Sequence, residues 1–114
     1  MTAQELYDKL RPFQESKGNY FNADMTMTLD LLASLLINKE RYGYMACPCR
    51  LASGNFELDR DVVCPCAYRD ADVAEHGACF CGLYVSRELH DAAGPAPVVP
   101  ERRPAEKTLA ALTA

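Results

Sequence analysis

The chain has 114 residues, a formal net charge of −4 at pH 7 and 49% hydrophobic residues, which is typical of one globular domain and excludes a wholly disordered chain. The acidic balance disfavours a dedicated nucleic-acid-binding protein, which normally carries a basic surface. The longest apolar run, residues 31–37, is too short to span a membrane, and the N-terminus lacks the pattern of a signal peptide. We therefore expect a cytoplasmic protein that binds neither nucleic acid nor membrane.

The N-terminal part of the chain predicts two amphipathic helices. Thr2 and Glu5 have the spacing of a capping box, and apolar residues follow at helical intervals, which predicts a helix over residues 2–16. Either Asn22 or Asp24 can cap a second helix, whose apolar stripe is that of a packed core helix. Gly43 is the predicted end of this second helix.

Two short helices are predicted between the cysteines that follow. Asn55 can cap a helix over residues 56–63, and Asp70 can cap another over residues 71–76, where a glycine comes next. Residues 82–85 form either a short strand or another packed segment.

The whole chain, residues 1–114, is predicted to be a single small, mostly α-helical domain. Residues 1–43 form a helical cap, and residues 44–89 carry all six cysteines. Residues 90–114 contain four of the seven prolines, which predicts an extended tail. The cysteine-bearing loops contain few apolar residues, so we expect a bound metal group to organise them, with the N-terminal helices as a cap.

The six cysteines form three Cys-x-Cys doublets, with 14 residues between the first two doublets and 12 between the last two. Structural disulfides are disfavoured because the cytosol keeps thiols reduced. A zinc module normally places two to four residues between the cysteines of a knuckle, whereas each doublet here has one, and four zinc ligands would leave two cysteines unused.

An iron–sulfur cluster is the third possibility, since soft thiolates are its usual ligands. A cluster with four thiolate ligands also leaves two of the six cysteines over, but here the two remaining thiols could have a function. A cluster transfers one electron at a time and reduction of a disulfide takes two, so a dithiol beside a cluster could couple the two processes. Composition alone does not say which cysteines are ligands. A one-electron carrier or sensor and a zinc-stabilised interaction module stay open as alternatives.

The motifs resemble those of the catalytic subunit of ferredoxin–thioredoxin reductase. The resemblance rests on CPCR at 47–50, CPC at 64–66, GLYV at 82–85 after the third doublet, RYGY at 41–44 and VVPERRP at 98–104. It implies a 4Fe–4S cluster beside a redox-active disulfide. The ligands of the cluster would be Cys47, Cys64, Cys66 and Cys79, and the active disulfide would join Cys49 and Cys81.

The resemblance also implies an activity. Ferredoxin would donate electrons to the cluster, Cys49 would attack the disulfide of thioredoxin or a thioredoxin-like protein, and Cys81 would resolve the mixed disulfide. A small variable subunit is a further possible partner. Arg50 follows Cys49 directly, and a nearby cation lowers the pKa of a thiol.

Two departures separate this chain from the plant-type pattern. The spacing of the doublets differs, which makes the chain more similar to a bacterial or archaeal branch of ferredoxin:disulfide reductases. Phe80 stands between the cysteines of the third doublet, where the plant type has a His that handles a proton. His76 is the one His within the cysteine region, so it is our candidate proton donor, although a surface His stabilised by a helix dipole is an equally simple interpretation.

Overall fold

Six α-helices and a two-stranded sheet make up the fold, and 54% of the residues are helical, which confirms a small, mostly α-helical domain. The structure is a computed structural model that describes residues 1–114. In chain order the elements are α1 Ala3–Ser16, β1 Tyr20–Phe21, α2 Met25–Tyr42, α3 Phe56–Asp59, a 3₁₀ turn Arg60–Val62, α4 Arg69–His76, β2 Tyr84–Val85, α5 Arg87–Ala92 and α6 Ala105–Thr113. None of these helices combines the length and the apolar character needed to cross a membrane.

The first two helices begin and end where their capping residues predict. The Thr2 hydroxyl accepts a hydrogen bond from the backbone N–H of Glu5, and the Glu5 carboxylate accepts one from the N–H of Thr2, which completes the capping box. Asp24, rather than Asn22, caps α2. Gly43 ends α2 with a φ of 88°, a left-handed conformation that favours glycine.

The core lies between the N-terminal helices and the third cysteine doublet. β1 and β2 pair antiparallel, with Tyr20 opposite Val85 and Phe21 opposite Tyr84. The main apolar cluster takes residues from α1, α2, both strands and the doublet itself: Leu6, Phe21, Leu32, Leu35, Cys79, Leu83 and Tyr84. The N-terminal helices therefore cover the third doublet, as expected of a helical cap.

Two boundaries and one element differ from the sequence prediction. Asn55 caps α3 as expected, but the α-helix ends at Asp59 and a 3₁₀ turn continues only to Val62. α4 begins at Arg69 without a side-chain cap, so the prediction of Asp70 as its cap is wrong; that carboxylate lies in the first turn, where the helix dipole favours it.

Within the predicted extended tail, residues 94–104 have no helix or strand, and the prediction is wrong for residues 90–92, which are the end of α5. The prediction is wrong for Ala105–Thr113, which form α6. No proline occurs after Pro104, and the alanine- and leucine-rich sequence that follows has high helix propensity.

Candidate functional site

The first two doublets lie side by side because their flanking backbones pair. Ala46 and Val63 form an isolated antiparallel bridge. The N–H of Cys47 donates to the carbonyl of Val62 at 2.8 Å, and the N–H of Cys64 donates to the carbonyl of Met45 at 2.8 Å. Two cysteines that are distant in sequence, Cys47 and Cys64, are thus fixed as neighbours. The peptide bond between Cys64 and Pro65 is cis.

The third doublet lies on a tight turn that leads into β2. The N–H of Gly82 donates to the carbonyl of Cys79 at 2.9 Å, and Gly82 has a φ of 79°. This positive φ favours glycine, because other residues rarely adopt it. The Asn22 side chain donates to the Gly82 carbonyl at 3.0 Å and ties the turn to the start of α2.

The three doublets meet around one small pocket. Five of the six cysteines line it, together with two arginines and three other side chains: Cys47, Arg50, Cys64, Pro65, Cys66, Arg69, Cys79, Phe80, Cys81 and Tyr84. The sixth cysteine, Cys49, is exposed. The four cysteines that the resemblance assigns as cluster ligands therefore share one pocket.

The donor set has the chemistry of an iron–sulfur cluster site. No group of three or more His, Cys, Asp or Glu side chains is arranged to hold a metal ion as the side chains stand. A 4Fe–4S cluster binds its four thiolates through several irons and is larger than a single ion. Cys47, Cys64, Cys66 and Cys79 supply only sulfur ligands, which is the chemistry that such a cluster takes.

The pKa values of the thiols follow their surroundings. Burial raises the pKa of Cys64 and of Cys66. The thiols of Cys47 and Cys81 neighbour that of Cys49, and their hydrogen bonds lower its pKa to about 3. The sulfurs of Cys79 and Cys81 are 3.8 Å apart. Cys81 thus lies between the exposed thiol and a cysteine of the pocket.

Arg50 is buried against the pocket, so it is not a solvated surface charge. Its side chain is 2% exposed, and its guanidinium donates to the sulfur of Cys66 at 3.4 Å and more weakly to that of Cys47 at 3.9 Å. Its charge lowers the pKa of Cys49 less than the neighbouring thiols do. Glu101 pairs with Arg50 at 2.7 Å. Arg50 thus acts on Cys49 in the expected direction, while its Nη1 faces two sulfurs of the pocket.

Sequence reasoning did not identify Arg69 or Tyr84 as part of the site. The Arg69 guanidinium lies 4.8 Å from the ring centroid of Tyr84, and both residues line the pocket. No local motif marks Arg69, and Tyr84 belongs to the GLYV motif, which does not by itself indicate that its ring faces the cysteines. Their place depends on the pairing of β2 with β1 and on the turn after Cys66, where the N–H of Arg69 donates to the Cys66 carbonyl at 3.3 Å.

His76 is the last residue of α4, one turn before the third doublet. Its ring lies 3.7 Å from the Glu75 carboxylate, and 27% of its side chain is exposed. No hydrogen bond or ion pair joins His76 to a cysteine. Its position at the end of α4 also matches the alternative interpretation, a surface His stabilised by the helix dipole. Its role as a proton donor stays a prediction.

A comparison with curated proteins finds no match. The family model described as ferredoxin thioredoxin reductase catalytic beta chain matches residues 2–106. This match includes all three doublets, the pocket that they form, and Glu101. The chain belongs to the family of ferredoxin–thioredoxin reductase catalytic beta chains.

Proposed function

We propose that the protein is a ferredoxin-dependent disulfide reductase in which Cys49 and Cys81 form a redox-active disulfide beside a 4Fe–4S cluster. The cluster would be held by Cys47, Cys64, Cys66 and Cys79. One observation carries this proposal: Cys49 is the one exposed thiol of the six, and the other five line the pocket. A partner protein can therefore reach Cys49 from solvent.

The reaction is a pair of thiol–disulfide exchanges. The thiolate of Cys49 attacks one sulfur of the target disulfide, the target S–S bond breaks, and a mixed disulfide forms while the other target sulfur leaves as a thiolate. The thiol of Cys81 then loses its proton and attacks the Cys49 sulfur. The Cys49–Cys81 disulfide forms and the second target sulfur leaves as a thiolate, so the target has gained two electrons. The proton released by Cys81 and one proton from solvent convert the two target thiolates to thiols.

The surroundings of the two thiols suit these roles. Cys49 is the exposed thiol, so its sulfur can meet a target disulfide, and the thiolate is the attacking form. Cys81 neighbours both Cys49 and Cys79, which is the position that a resolving thiol needs. When bound, the cluster supplies electrons one at a time, which is the chemistry needed to reduce the Cys49–Cys81 disulfide after each cycle.

The proposed partners are ferredoxin as electron donor and thioredoxin or a thioredoxin-like protein as acceptor. The family description names both proteins, which supports this choice. A small variable subunit is a third proposed partner, and the cytoplasm is the proposed location.

Visible absorption, iron content and thiol titration of the anaerobically purified protein test the proposal. We expect the broad visible absorption of an iron–sulfur protein, and iron equivalent to one 4Fe–4S cluster per chain. Reduction should expose two additional thiols, because one disulfide opens. Bound zinc without visible absorption would instead support an interaction module. A cluster without the gain of two thiols would support a one-electron carrier or sensor.

A further inference from the structure

We propose that Arg50 is a positioning residue that raises the reduction potential of the cluster through the sulfurs of Cys66 and Cys47, and that Glu101 both holds it and moderates its charge. This inference rests on the proposed function, since it requires a cluster on these cysteines. It concerns a residue pair that lies 51 positions apart in the chain.

The first observation is the direction of the guanidinium. Nη1 of Arg50 lies 3.4 Å from Sγ of Cys66 and 3.9 Å from Sγ of Cys47. The side chain is 2% exposed, so water screens its charge far less than it screens a surface arginine. A permanent positive charge therefore acts directly on two sulfurs of the pocket.

The second observation is that the guanidinium is fixed by partners on its other sides. Nε and Nη2 donate to the Glu101 carboxylate at 2.9 and 2.7 Å. The planar group lies 4.5 Å from the ring centroid of Phe80 and 5.2 Å from that of Tyr68. These contacts leave Nη1 free to face the sulfurs. A lysine has neither the planar group nor the forked donors that this arrangement uses.

Phe80 connects the Arg50–Glu101 pair to the third doublet. Phe80 stands between Cys79 and Cys81, and the Arg50 guanidinium packs on its ring. An arginine stays charged at all ordinary pH values and does not transfer a proton. Arg50 therefore acts on this side of the pocket by charge and hydrogen bonding rather than by acid–base chemistry.

The expected effect follows from electrostatics. Reduction adds one negative charge to a cluster and its four thiolates. A hydrogen bond to a ligating sulfur and a nearby positive charge both stabilise the more negative state, and both are known determinants of cluster potential. Arg50 should raise the potential, and the carboxylate of Glu101 should offset part of that effect.

Two variants separate this role from a merely structural one. In Arg50→Gln the positive charge and the donor to Cys66 are lost, so the reduction potential should shift downward. In Glu101→Gln the side-chain shape and an acceptor oxygen remain while the offsetting negative charge is lost, so the potential should shift upward. General loosening of the pocket would shift the reduction potentials of both variants in the same direction. Arg87→Gln is the control, because Arg87 is 70% exposed and pairs with Asp91 on the surface.

The measurement is an anaerobic spectroelectrochemical titration of the full-length, cluster-loaded protein, with iron content determined on each sample. Opposite shifts in Arg50→Gln and Glu101→Gln, each larger than that of Arg87→Gln, would support the inference. Shifts in the same direction, or none beyond the control, would overturn it. If Arg50→Gln does not retain iron, Glu101→Gln decides alone: an upward shift supports the inference and its absence overturns it. A wild-type protein that binds no cluster would overturn the proposed function first, whereas a loaded cluster with unmoved potentials overturns only the role of Arg50.

Discussion

Cys49 and Cys81 have the same chemistry, and their surroundings separate their roles. Cys49 lies at the tip of the turn closed by the hydrogen bond from the Arg50 N–H to the Cys47 carbonyl, at 3.2 Å. It is exposed, whereas Cys81 lines the pocket. In the proposed mechanism the mixed disulfide forms at the exposed Cys49, and Cys81 breaks it.

Serine variants of the two cysteines should fail at different steps. Cys49→Ser should keep its cluster and form no mixed disulfide with a thioredoxin-like protein, because a serine hydroxyl is a poor nucleophile at neutral pH. Cys81→Ser should form the mixed disulfide and accumulate it, because the resolving thiol is missing. Non-reducing electrophoresis together with visible absorption distinguishes the two outcomes. Accumulation in Cys49→Ser instead of Cys81→Ser would reverse the assignment.

A second prediction at the residue scale concerns the group that donates a proton to the reduced thiols. Phe80 cannot transfer a proton, and the imidazole of His76 is the nearest one in sequence to the third doublet. His76→Ala should slow turnover by about 10²-fold while the cluster persists, which is the lower end of the range for general acid–base groups. His76→Gln should be as slow, because an amide preserves polarity but does not titrate. Turnover equal to wild type between about pH 6 and pH 8 would assign the proton to solvent or to another group.

At the scale of elements, the loop after the first doublet is held by one buried carboxylate. Asp59, at the end of α3, is fully buried and accepts hydrogen bonds from the N–H groups of Ser53 and Gly54 and from the Tyr44 hydroxyl. Burial acts to raise the pKa of Asp59, but these hydrogen bonds outweigh it and hold the pKa below its ordinary value of 3.8. The ionised carboxylate thus fixes the loop that follows Cys49 and Arg50.

Asp59→Asn should loosen this loop in a pH-dependent way. A depressed native pKa gives a stabilisation that is complete above the unfolded value of about 3.8 and is lost as pH falls through the native value. At pH 7 the variant should lose about 2 kcal/mol of local stability, a roughly 30-fold fall in the amide exchange protection of Ser53 and Gly54. The difference from wild type should shrink below about pH 4. Glu57→Gln, which changes a carboxylate that is 72% exposed, serves as the control. Equal protection in wild type and Asp59→Asn at pH 7 would contradict this role.

Local signals allowed prediction of those elements whose ends are set by neighbouring residues. The capping box of α1, the Asp24 cap of α2 and the glycine at its end all depend on side chains within four positions. The family motifs extended the prediction to the six cysteines. The two-residue strand β1 could not be predicted, because its pairing with β2 joins residues more than 60 positions apart. α6 was missed because the prolines before it dominated the interpretation of the tail.

The candidate site also depends on contacts between residues that are far apart in the sequence. Arg50 could be noticed beside Cys49, but its ion pair with Glu101 and its burial depend on how the chain returns over the doublets. In the sequence, Phe80 indicates only that the His of the plant-type third doublet is absent. The structure adds that its ring packs on a buried arginine, a contact that no spacing in the sequence indicates.

At the scale of the whole molecule, a strap formed by residues 99–103 joins the segments between the doublets. Glu101 pairs with Arg50, just after the first doublet. Arg102 pairs with the buried Asp72 on α4, between the second and third doublets, at 2.8 Å. The strap therefore links these two segments by ion pairs.

The third ion pair of the strap is the most buried and gives the last prediction. Arg103 is 1% exposed, donates to the Asp61 carboxylate at 2.9 Å, and donates to the Leu58 carbonyl at 3.0 Å. Its removal leaves the Asp61 carboxylate buried without a countercharge, which costs about 3 to 5 kcal/mol. Arg103→Met should therefore lower the denaturant midpoint at which the cluster absorbance is lost. The double variant Arg103→Met/Asp61→Leu should recover part of this loss, because it removes the unpaired charge. Arg60→Met, at an arginine 65% exposed in a surface pair, should change the midpoint little. If the double variant is as unstable as the sum of its single variants, the strap stabilises the fold by packing and not by this charge pair.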